Sequence, residues 1–128
     1  MASTDPRRGE VWLVSLGAAR SGEPGKNRPA VVLSADDLST DAPDDLIVVM
    51  PLSSSSLPSA LRPEVTDIEG VDRPSRAICQ AIRGVARGRL LRRLGALPPD
   101  KLAEIERALA LTLGLATELG RSPRGRRV

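Results

Sequence analysis

The sequence predicts a single, mainly β (α+β) domain: a small barrel or sandwich with helices at its C-terminal end. Short apolar runs alternate with Gly- and Pro-rich turns over the first two thirds of the chain, at the spacing of short strands. The hydrophobic period then lengthens to that of a helix. Hydrophobic residues make up 41% of the 128 residues, enough for one core. Because Trp12 is the only aromatic residue, that core must consist of Val, Leu, Ile and Ala.

The first predicted strand is Arg8–Leu16. Its alternating pattern assigns the side chains to two faces, with Val11, Leu13 and Ser15 on one and Trp12, Val14 and Leu16 on the other. We expect Trp12 to pack in the core or in an interface, and the alternative is a platform on which nucleotide bases stack.

A loop from Gly17 to Asn27 follows this strand, since three glycines and a proline leave no room for a regular element. The loop is long for a connection between strands, and long loops often carry function. It brings Glu23, Lys26 and Asn27 up to the start of the next strand.

That strand, Arg28–Ser34, starts with a cation and ends in an apolar run that indicates burial on both faces. Pro29 has no N–H to donate, so it must lie at the strand start or on a sheet edge, and it forces Arg28 into an extended conformation. A guanidinium on so stiff a backbone can bind a phosphate or a carboxylate with little freedom left to lose. The alternative is an ordinary surface arginine beside a strand.

An acidic, turn-rich stretch, Ala35–Asp45, is expected to hold one short helical turn and leads to another buried strand at Leu46–Leu52. This strand runs directly into four serines, Ser53–Ser56. The serine run is either a flexible loop of low complexity or a site where a rigid strand end presents hydroxyl groups.

Two further regions are predicted to be extended: Leu61–Ile68, and Arg76–Val85 as one or two strands. In the second region Gln80 would share a face with two isoleucines. Cys79 is expected to be a small, buried apolar residue.

Leu90–Gly95 is predicted to form a short helical turn, with glycine as its terminating residue. A second helix is predicted from Pro98-Pro99 to Gly120. One stripe of it is expected to pack on the sheet, namely Leu102, Ile105, Leu109, Thr112 or Leu113, and Ala116. The helix is apolar nearly all round from Ala108 on, so a second copy of the chain is a candidate for its other side. Residues 1–117 are thus predicted to form the domain and 118–128 a basic, flexible tail.

The net charge of +3 is unevenly distributed. Five aspartates lie within Ala35–Asp45, and five arginines lie within Arg83–Arg93 with no acidic residue among them. This segregation favours a polyanionic partner, and the alternative is a solubilising face beside a basic tail.

The chain contains no histidine and one cysteine. These counts exclude histidine-type zinc sites, Ser-His-Asp triads and paired-histidine nuclease chemistry, so no metal or cofactor is expected. No apolar run approaches the length of a membrane span, and the first nine residues lack the apolar region of a signal peptide. A cytoplasmic location without membrane contact is therefore expected.

Four segments carry a resemblance: Arg8–Trp12, Asn27–Ser34, Val49–Ser54, and Ile78–Arg83 followed by Arg89-Leu90 and Gly95–Leu97. In this order they resemble the MazF/PemK (Kid-type) toxins of type II toxin–antitoxin systems, over nearly the whole domain. The resemblance implies an SH3-like β-barrel with C-terminal helices that works as a homodimer. It also implies metal-independent, sequence-specific cleavage of single-stranded RNA to 2′,3′-cyclic phosphate and 5′-hydroxyl ends. The partner it implies is an antitoxin with an acidic segment that covers the RNA groove.

By the same resemblance, the catalytic positions fall on Arg28, Ser53 and Glu23. The chemistry needs the Arg28 guanidinium and the Ser53 hydroxyl to reach the oxygens of one phosphate, with Glu23 as the base or as a partner that orients Arg28. RNA-binding positions are expected next to these residues and on the later strand, namely Lys26, Asn27, Ser54, Gln80 and Arg83.

The chain departs from the family where many members have an acidic residue followed by Gln, because it has Gln80-Ala81 there. It also lacks aromatic residues to stack bases near the groove, so RNA would be held by arginine planes, hydroxyls and backbone groups. Two other readings remain open: a CcdB-like toxin that poisons DNA gyrase, and a nucleic-acid-binding barrel without catalysis.

Overall fold

The computed structural model describes residues 5–17, 26–38, 42–66, 71 and 73–115. Within them, seven strands form one antiparallel sheet: β1 (Glu10–Ser15), β2 (Asn27–Val32), β3 (Leu46–Ser53), β4 (Glu64–Val65), β5 (Ser75–Ala77), β6 (Arg83–Ala86) and β7 (Leu90–Ala96). One α-helix follows, α1 (Pro99–Thr112). Single 3-10 turns occupy Asp36–Leu38, Cys79–Ala81 and Arg87–Arg89. The predicted mainly β fold is confirmed.

The sheet curls into a half-barrel because β3 is long enough to pair with three strands. The strand order is β4-β5-β3-β2-β1-β7, and β6 also pairs with β3. The first half of β3, Leu46–Val49, lies beside β6, and its last two residues, Leu52 and Ser53, lie beside β5. Leu46 and Val48 are exposed, 66% and 37%, so the prediction that β3 is buried throughout is wrong at its start.

Both faces of the central strands are buried, each in a core of its own. Val11 of β1 faces a core that α1 covers with Ile105 and Ala108. Trp12 and Val14 face a second core, lined mainly by valine, leucine and isoleucine. The predicted alternation along β1 is therefore confirmed, and Trp12, 7% exposed, is a packing residue.

The helical turn predicted at Leu90–Gly95 is wrong, because this segment is the edge strand β7. It pairs with β1 along most of its length, with register shifts between Val11 and Trp12 and between Leu13 and Val14. Regular alternation would place residues four apart on one face, but the irregular pairing turns Leu90 toward the core that holds Trp12 and Leu94 toward the core that holds Val11.

The single long strand that Arg76–Val85 could form is replaced by two short strands and a 3-10 turn. β5 and β6 pair with different parts of β3, and the turn Cys79–Ala81 makes the step between them. Gln80 is exposed on this turn, so it does not share a strand face with the isoleucines. Cys79 is fully buried, as predicted, and its burial raises the pKa of the thiol.

The C-terminal helix begins at Pro99, as predicted, but it ends at Thr112 rather than at Gly120. Gly114 takes a φ of +75°, and the N–H of Leu115 donates to the carbonyl of Ala110 at 2.7 Å, which is the bonding pattern of a Schellman terminus. Leu113 and Leu115 remain 54% and 58% exposed. The predicted basic tail, residues 118–128, lies outside the described residues. In the described part of the chain, no helix is both long enough and apolar enough to span a bilayer.

Candidate active site

Arg28 lies on β2 in the extended conformation that Pro29 predicts. It pairs with Val14 of β1, and Pro29 pairs with Leu13. Its side chain is half-buried, which leaves part of the guanidinium accessible from solvent. Because its backbone is paired with β1 and followed by Pro29, the main chain of Arg28 has little conformational entropy to lose on binding an anion.

Ser53 is the last residue of β3, the strand that neighbours β2. The two strands pair antiparallel, with Ala30 opposite Pro51. Arg28 and Ser53 each lie two residues beyond that pair, so the alternation of side chains puts them on the same face of the sheet. We call this end of the two strands the site end; it comprises Asn27–Arg28 of β2 and Ser53 of β3.

The serine run forms a compact turn at the site end. The N–H of Ser55 donates to Ser53 Oγ at 3.3 Å, and the two hydroxyls lie 3.2 Å apart. Ser54, between them, is exposed. The sequence left open whether these serines are a flexible loop or a site, and the hydrogen bonds show a defined turn that begins where a buried strand ends.

A groove of about 280 Å³ opens at the site end. Its floor is apolar, formed by Leu13, Pro29, Leu52 and Val71, and its polar groups come from Arg28, Ser54, Arg73 and Ser75. Two of the predicted site residues, Arg28 and Ser54, therefore line the same groove. A concave apolar floor with a few convergent polar groups is typical of ligand sites.

Arg73 is a groove residue that the sequence did not single out. It lies in an irregular segment before β5, where no hydrophobic period marks it, and its carbonyl accepts a hydrogen bond from Ser75 Oγ at 3.2 Å. A local signal was present: Arg73 precedes Pro74, as Arg28 precedes Pro29, and a residue before proline is biased toward an extended backbone.

Lys26 and Asn27 lie at the neck of the loop between β1 and β2, and both are exposed. Asn27 pairs with Ser15. Lys26 has a φ of +60°, its carbonyl accepts from the N–H of Leu16 at 2.8 Å, and its own N–H donates to the carbonyl of Gly17. A left-handed backbone costs a non-glycine residue about 1–3 kcal/mol, so the neck holds Lys26 in a strained conformation.

Two arginines donate hydrogen bonds to backbone carbonyls at the same loop neck. Arg83 Nη1 donates to the carbonyl of Leu16 at 3.5 Å, and Arg89 Nη1 donates to that of Ser15 at 3.3 Å. Arg83, predicted to contact RNA, is thus placed at the loop neck, while Arg89 was not predicted. Both side chains add positive charge beside Lys26.

Gln80 is joined to the serine turn by an arginine that the sequence did not signal. Arg62 Nη1 donates to Ser56 Oγ at 2.7 Å, and Arg62 Nη2 donates to Gln80 Oε1 at 3.4 Å. Glu23, the predicted base or orienting residue, lies in the stretch 18–25, outside the described residues.

The arginine-rich stretch predicted as one basic surface is divided. Arg87 pairs with Asp5 at 2.7 Å and Arg93 pairs with Glu10 at 2.6 Å, so these two charges are compensated. Arg83 donates instead to a neutral carbonyl at the site end. Among the described residues, Lys26, Arg83 and Arg89 therefore bring three positive charges together at the loop neck.

The chain is similar to known proteins over most of its length. Residues 7–113 match the model of the PemK-like, MazF-like toxins of type II toxin–antitoxin systems. The chain belongs to this family. The match covers every described strand and the helix, so the resemblance seen in four segments of the sequence is confirmed.

Relatives of known identity support the assignment. Endoribonuclease MazF9 of Mycobacterium tuberculosis is 36% identical over 115 residues, which cover 85% of this chain and 97% of that protein. Family membership and this relative place the chain among the MazF-type endoribonucleases, as the resemblance implied. The crystal structure of MazF from Deinococcus radiodurans has the same fold, with a TM-score of 0.75 at 24% identity, covering 88% of this chain and 99% of that one. A structure of MazE-MazF from the same organism gives 0.68 at 23% identity, covering 88% and 98%.

Proposed function

We propose that this protein is a toxin that acts in the cytoplasm and cleaves single-stranded RNA without a metal ion, leaving 2′,3′-cyclic phosphate and 5′-hydroxyl ends. The observation that carries the proposal is the placement of Arg28 and Ser53 on one face of neighbouring strands. Arg28 also lines the groove at this end. Family membership supports the reaction class.

In the proposed reaction the ribose 2′-oxygen attacks the adjacent phosphorus and the bond to the 5′-oxygen breaks. The 2′-hydroxyl loses its proton to a base, and the departing 5′-oxygen gains one. The phosphorane between these steps carries extra negative charge, which Arg28 stabilises by charge-assisted hydrogen bonds. Ser53 donates a further hydrogen bond to a phosphate oxygen, for which its hydroxyl turns away from Ser55.

Glu23 is proposed either as the base for the 2′-hydroxyl or as the group that orients Arg28. The guanidinium of an arginine stays protonated in proteins, which makes it a poor acid, so its main contribution is charge stabilisation. Since the chain has no histidine, a carboxylate and a guanidinium are the groups that can move or balance this charge.

RNA would lie across the groove, with its backbone toward the cationic loop neck. Lys26 and Arg83 would contact phosphates, while Asn27 and Ser54 offer polar groups at the site end. No aromatic side chain is available in the groove, so the guanidinium plane of Arg73 is the surface on which a base would stack.

Two protein partners are proposed. An antitoxin with an acidic segment would compete with RNA for the positive charge around the loop neck. A similar endoribonuclease from a mycobacterial species has been solved in complex with its cognate antitoxin, which supports such a partner. A second copy of this chain would cover the exposed leucines at the end of α1, Leu113 and Leu115. Size-exclusion chromatography with light scattering would report twice the chain mass for the dimer and the chain mass otherwise.

One experiment tests the activity. The purified chain is incubated with a long single-stranded RNA in EDTA, and the ends of the products are analysed. Discrete fragments with cyclic phosphate ends support the proposal, and their absence in Arg28→Ala assigns the activity to this chain rather than to a contaminant. Intact RNA at high enzyme concentration would overturn the proposal, and bound but uncleaved RNA would favour the non-catalytic nucleic-acid-binding barrel.

A further inference from the structure

Arg62 connects two segments that the sheet does not join directly. One is the serine turn, through Ser56, and the other is the turn Cys79–Ala81, through the exposed Gln80. The guanidinium is planar and its donors have fixed directions, so two simultaneous bonds fix the position of both acceptors relative to each other.

The backbone of Arg62 is fixed by two hydrogen bonds. Its N–H donates to the carbonyl of Ser59 at 3.0 Å, and its carbonyl accepts from Arg76 Nη1 at 2.9 Å. Arg76 lies on β5 opposite Ser53, so the network leads back to the site end. The turn that carries Arg62 is thereby tied to the strand that carries the proposed phosphate-binding serine.

The contact with Arg62 settles which way the Gln80 amide faces. Arginine has five N–H donors and no acceptor, so the amide atom that meets it must be the oxygen. The Nε2 group, with two hydrogens, is then directed away from Arg62 on an exposed residue. Gln80 therefore presents a hydrogen-bond donor, whereas an acidic residue in this position would present an acceptor.

A hydrogen-bond donor held in a fixed orientation distinguishes nucleobases by whether the base edge carries a keto or an amino group at one position. Uracil and guanine carry a keto oxygen where cytosine and adenine carry an amino group, so a donor favours the first pair and an acceptor favours the second. Single-stranded RNA exposes this edge because its bases are unpaired.

We propose that Gln80, with its amide oriented by Arg62, selects a keto base, uracil or guanine, at one position of the bound RNA. Gln80 is the residue that contacts the base, and Arg62 is a positioning residue. The inference deepens the proposed function and depends on it, because it assumes that RNA binds at the site end.

The test uses a randomised single-stranded RNA pool and the full chain, read in two ways. The 5′ ends of cleavage products are sequenced, and RNA retained by the protein is sequenced separately. The variants are Gln80→Glu, Arg62→Met and Arg62→Lys. Arg8→Met is the matched control for Arg62, because Arg8 also joins two segments, through the Leu33 carbonyl and the Glu106 carboxylate. Ala35→Glu, an exposed position beyond the opposite end of β2, controls for added negative charge.

We expect the wild type to favour keto bases at one position and Gln80→Glu to reverse that preference by about tenfold toward adenine and cytosine, at the same position. Both Arg62 variants should lose the preference, because neither keeps the two-pronged contact, and both controls should keep it. Gln80 is exposed, so Gln80→Glu carries the test even if an Arg62 variant fails to fold.

Failures of the two proposals are distinguishable. If the wild type cleaves RNA and Gln80→Glu leaves the base profile unchanged at every position, only the Gln80 inference is overturned. If the wild type does not cleave RNA, the proposed activity is overturned, and the sequences of the retained RNA then test the Gln80 inference. A preference for keto bases that Gln80→Glu reverses supports the inference. Retained RNA without such a preference, or no retained RNA, overturns it.

Discussion

The two ends of β2 use the same residue type in opposite ways. At the end near Val32, arginines meet carboxylates: Arg8 contacts Glu106 and Arg93 contacts Glu10. At the site end, arginines donate mainly to neutral oxygens, as Arg83 does to a backbone carbonyl and Arg62 to a serine and a glutamine. The exception is Arg76, which lies 3.8 Å from Glu64.

This difference separates arginines that hold segments together at one end of β2 from arginines that keep their charge at the other end. A guanidinium paired with a carboxylate has its charge compensated and contributes to holding segments together. A guanidinium that donates to a carbonyl is held by a weaker hydrogen bond, but it keeps its full charge for a polyanion. Counting arginines along the chain does not reveal this division, because the compensating acids come from distant positions such as Asp5 and Glu106.

The largest expected effect comes from removing the charge at the proposed centre. Arg28→Ala should lower RNA cleavage by a hundredfold to a thousandfold, about the cost of removing one group that stabilises transition-state charge. The thermal midpoint should change little, because the half-buried side chain lies at a strand end. Arg8→Ala is the matched arginine from the other end, and it should lower stability while keeping activity per folded molecule. Equal loss of activity in both variants would contradict the division between the ends.

The second prediction concerns the end of β2 near Val32. The Glu10 carboxylate, 15% exposed, accepts from Arg93 Nε at 2.6 Å, Trp12 Nε1 at 3.0 Å and the N–H of Arg7 at 2.7 Å. Glu10→Ala leaves the part-buried Trp12 Nε1 without its acceptor, while water replaces the carboxylate at the exposed Arg93 and at the N–H of Arg7, so we expect the free energy of unfolding to fall by about 1–2 kcal/mol. Denaturant unfolding measures the loss, with the exposed Asp36→Ala as a control of smaller effect. Cleavage per folded molecule should be unchanged, and a specific loss of activity would show that the ends are coupled.

The third prediction concerns the serine turn at the site end. Ser53→Ala removes the proposed hydrogen bond to a charged phosphate, worth about 1.5 kcal/mol or more, so cleavage should fall at least tenfold. Ser55→Ala removes the partner of Ser53 and leaves its hydroxyl in place, so activity should stay within threefold, roughly the effect of one weak neutral contact. A single-turnover rate assay separates the two, and equal rates would show that Ser53 only shapes the turn.

Much of this arrangement could be predicted from local patterns. The alternation in Val11–Leu16 correctly predicted that the strand packs on both faces, and Pro29 correctly predicted the extended backbone of Arg28. Leu90–Gly95 was misassigned because its leucine spacing fits a helix, while the bulges that send Leu90 and Leu94 into different cores arise only from pairing with β1. Arg62 and Arg73 carried no periodic signal, since their roles depend on which loops the curled sheet brings together.

The smallest expected effect concerns the left-handed backbone of Lys26 at the loop neck. Lys26→Gly replaces a left-handed lysine by a residue that tolerates a positive φ, so stability should stay constant or rise by about 0.5–1 kcal/mol. The same change removes one phosphate-binding cation, so the slope of log affinity against log salt for single-stranded RNA should fall by about 0.7. Lys101, the only other lysine, pairs with Glu104 on α1 at 2.8 Å, and Lys101→Ala should leave that slope unchanged. A loss of stability in Lys26→Gly would mean that the lysine side chain, rather than the backbone, holds the neck. An unchanged slope would place the RNA backbone elsewhere.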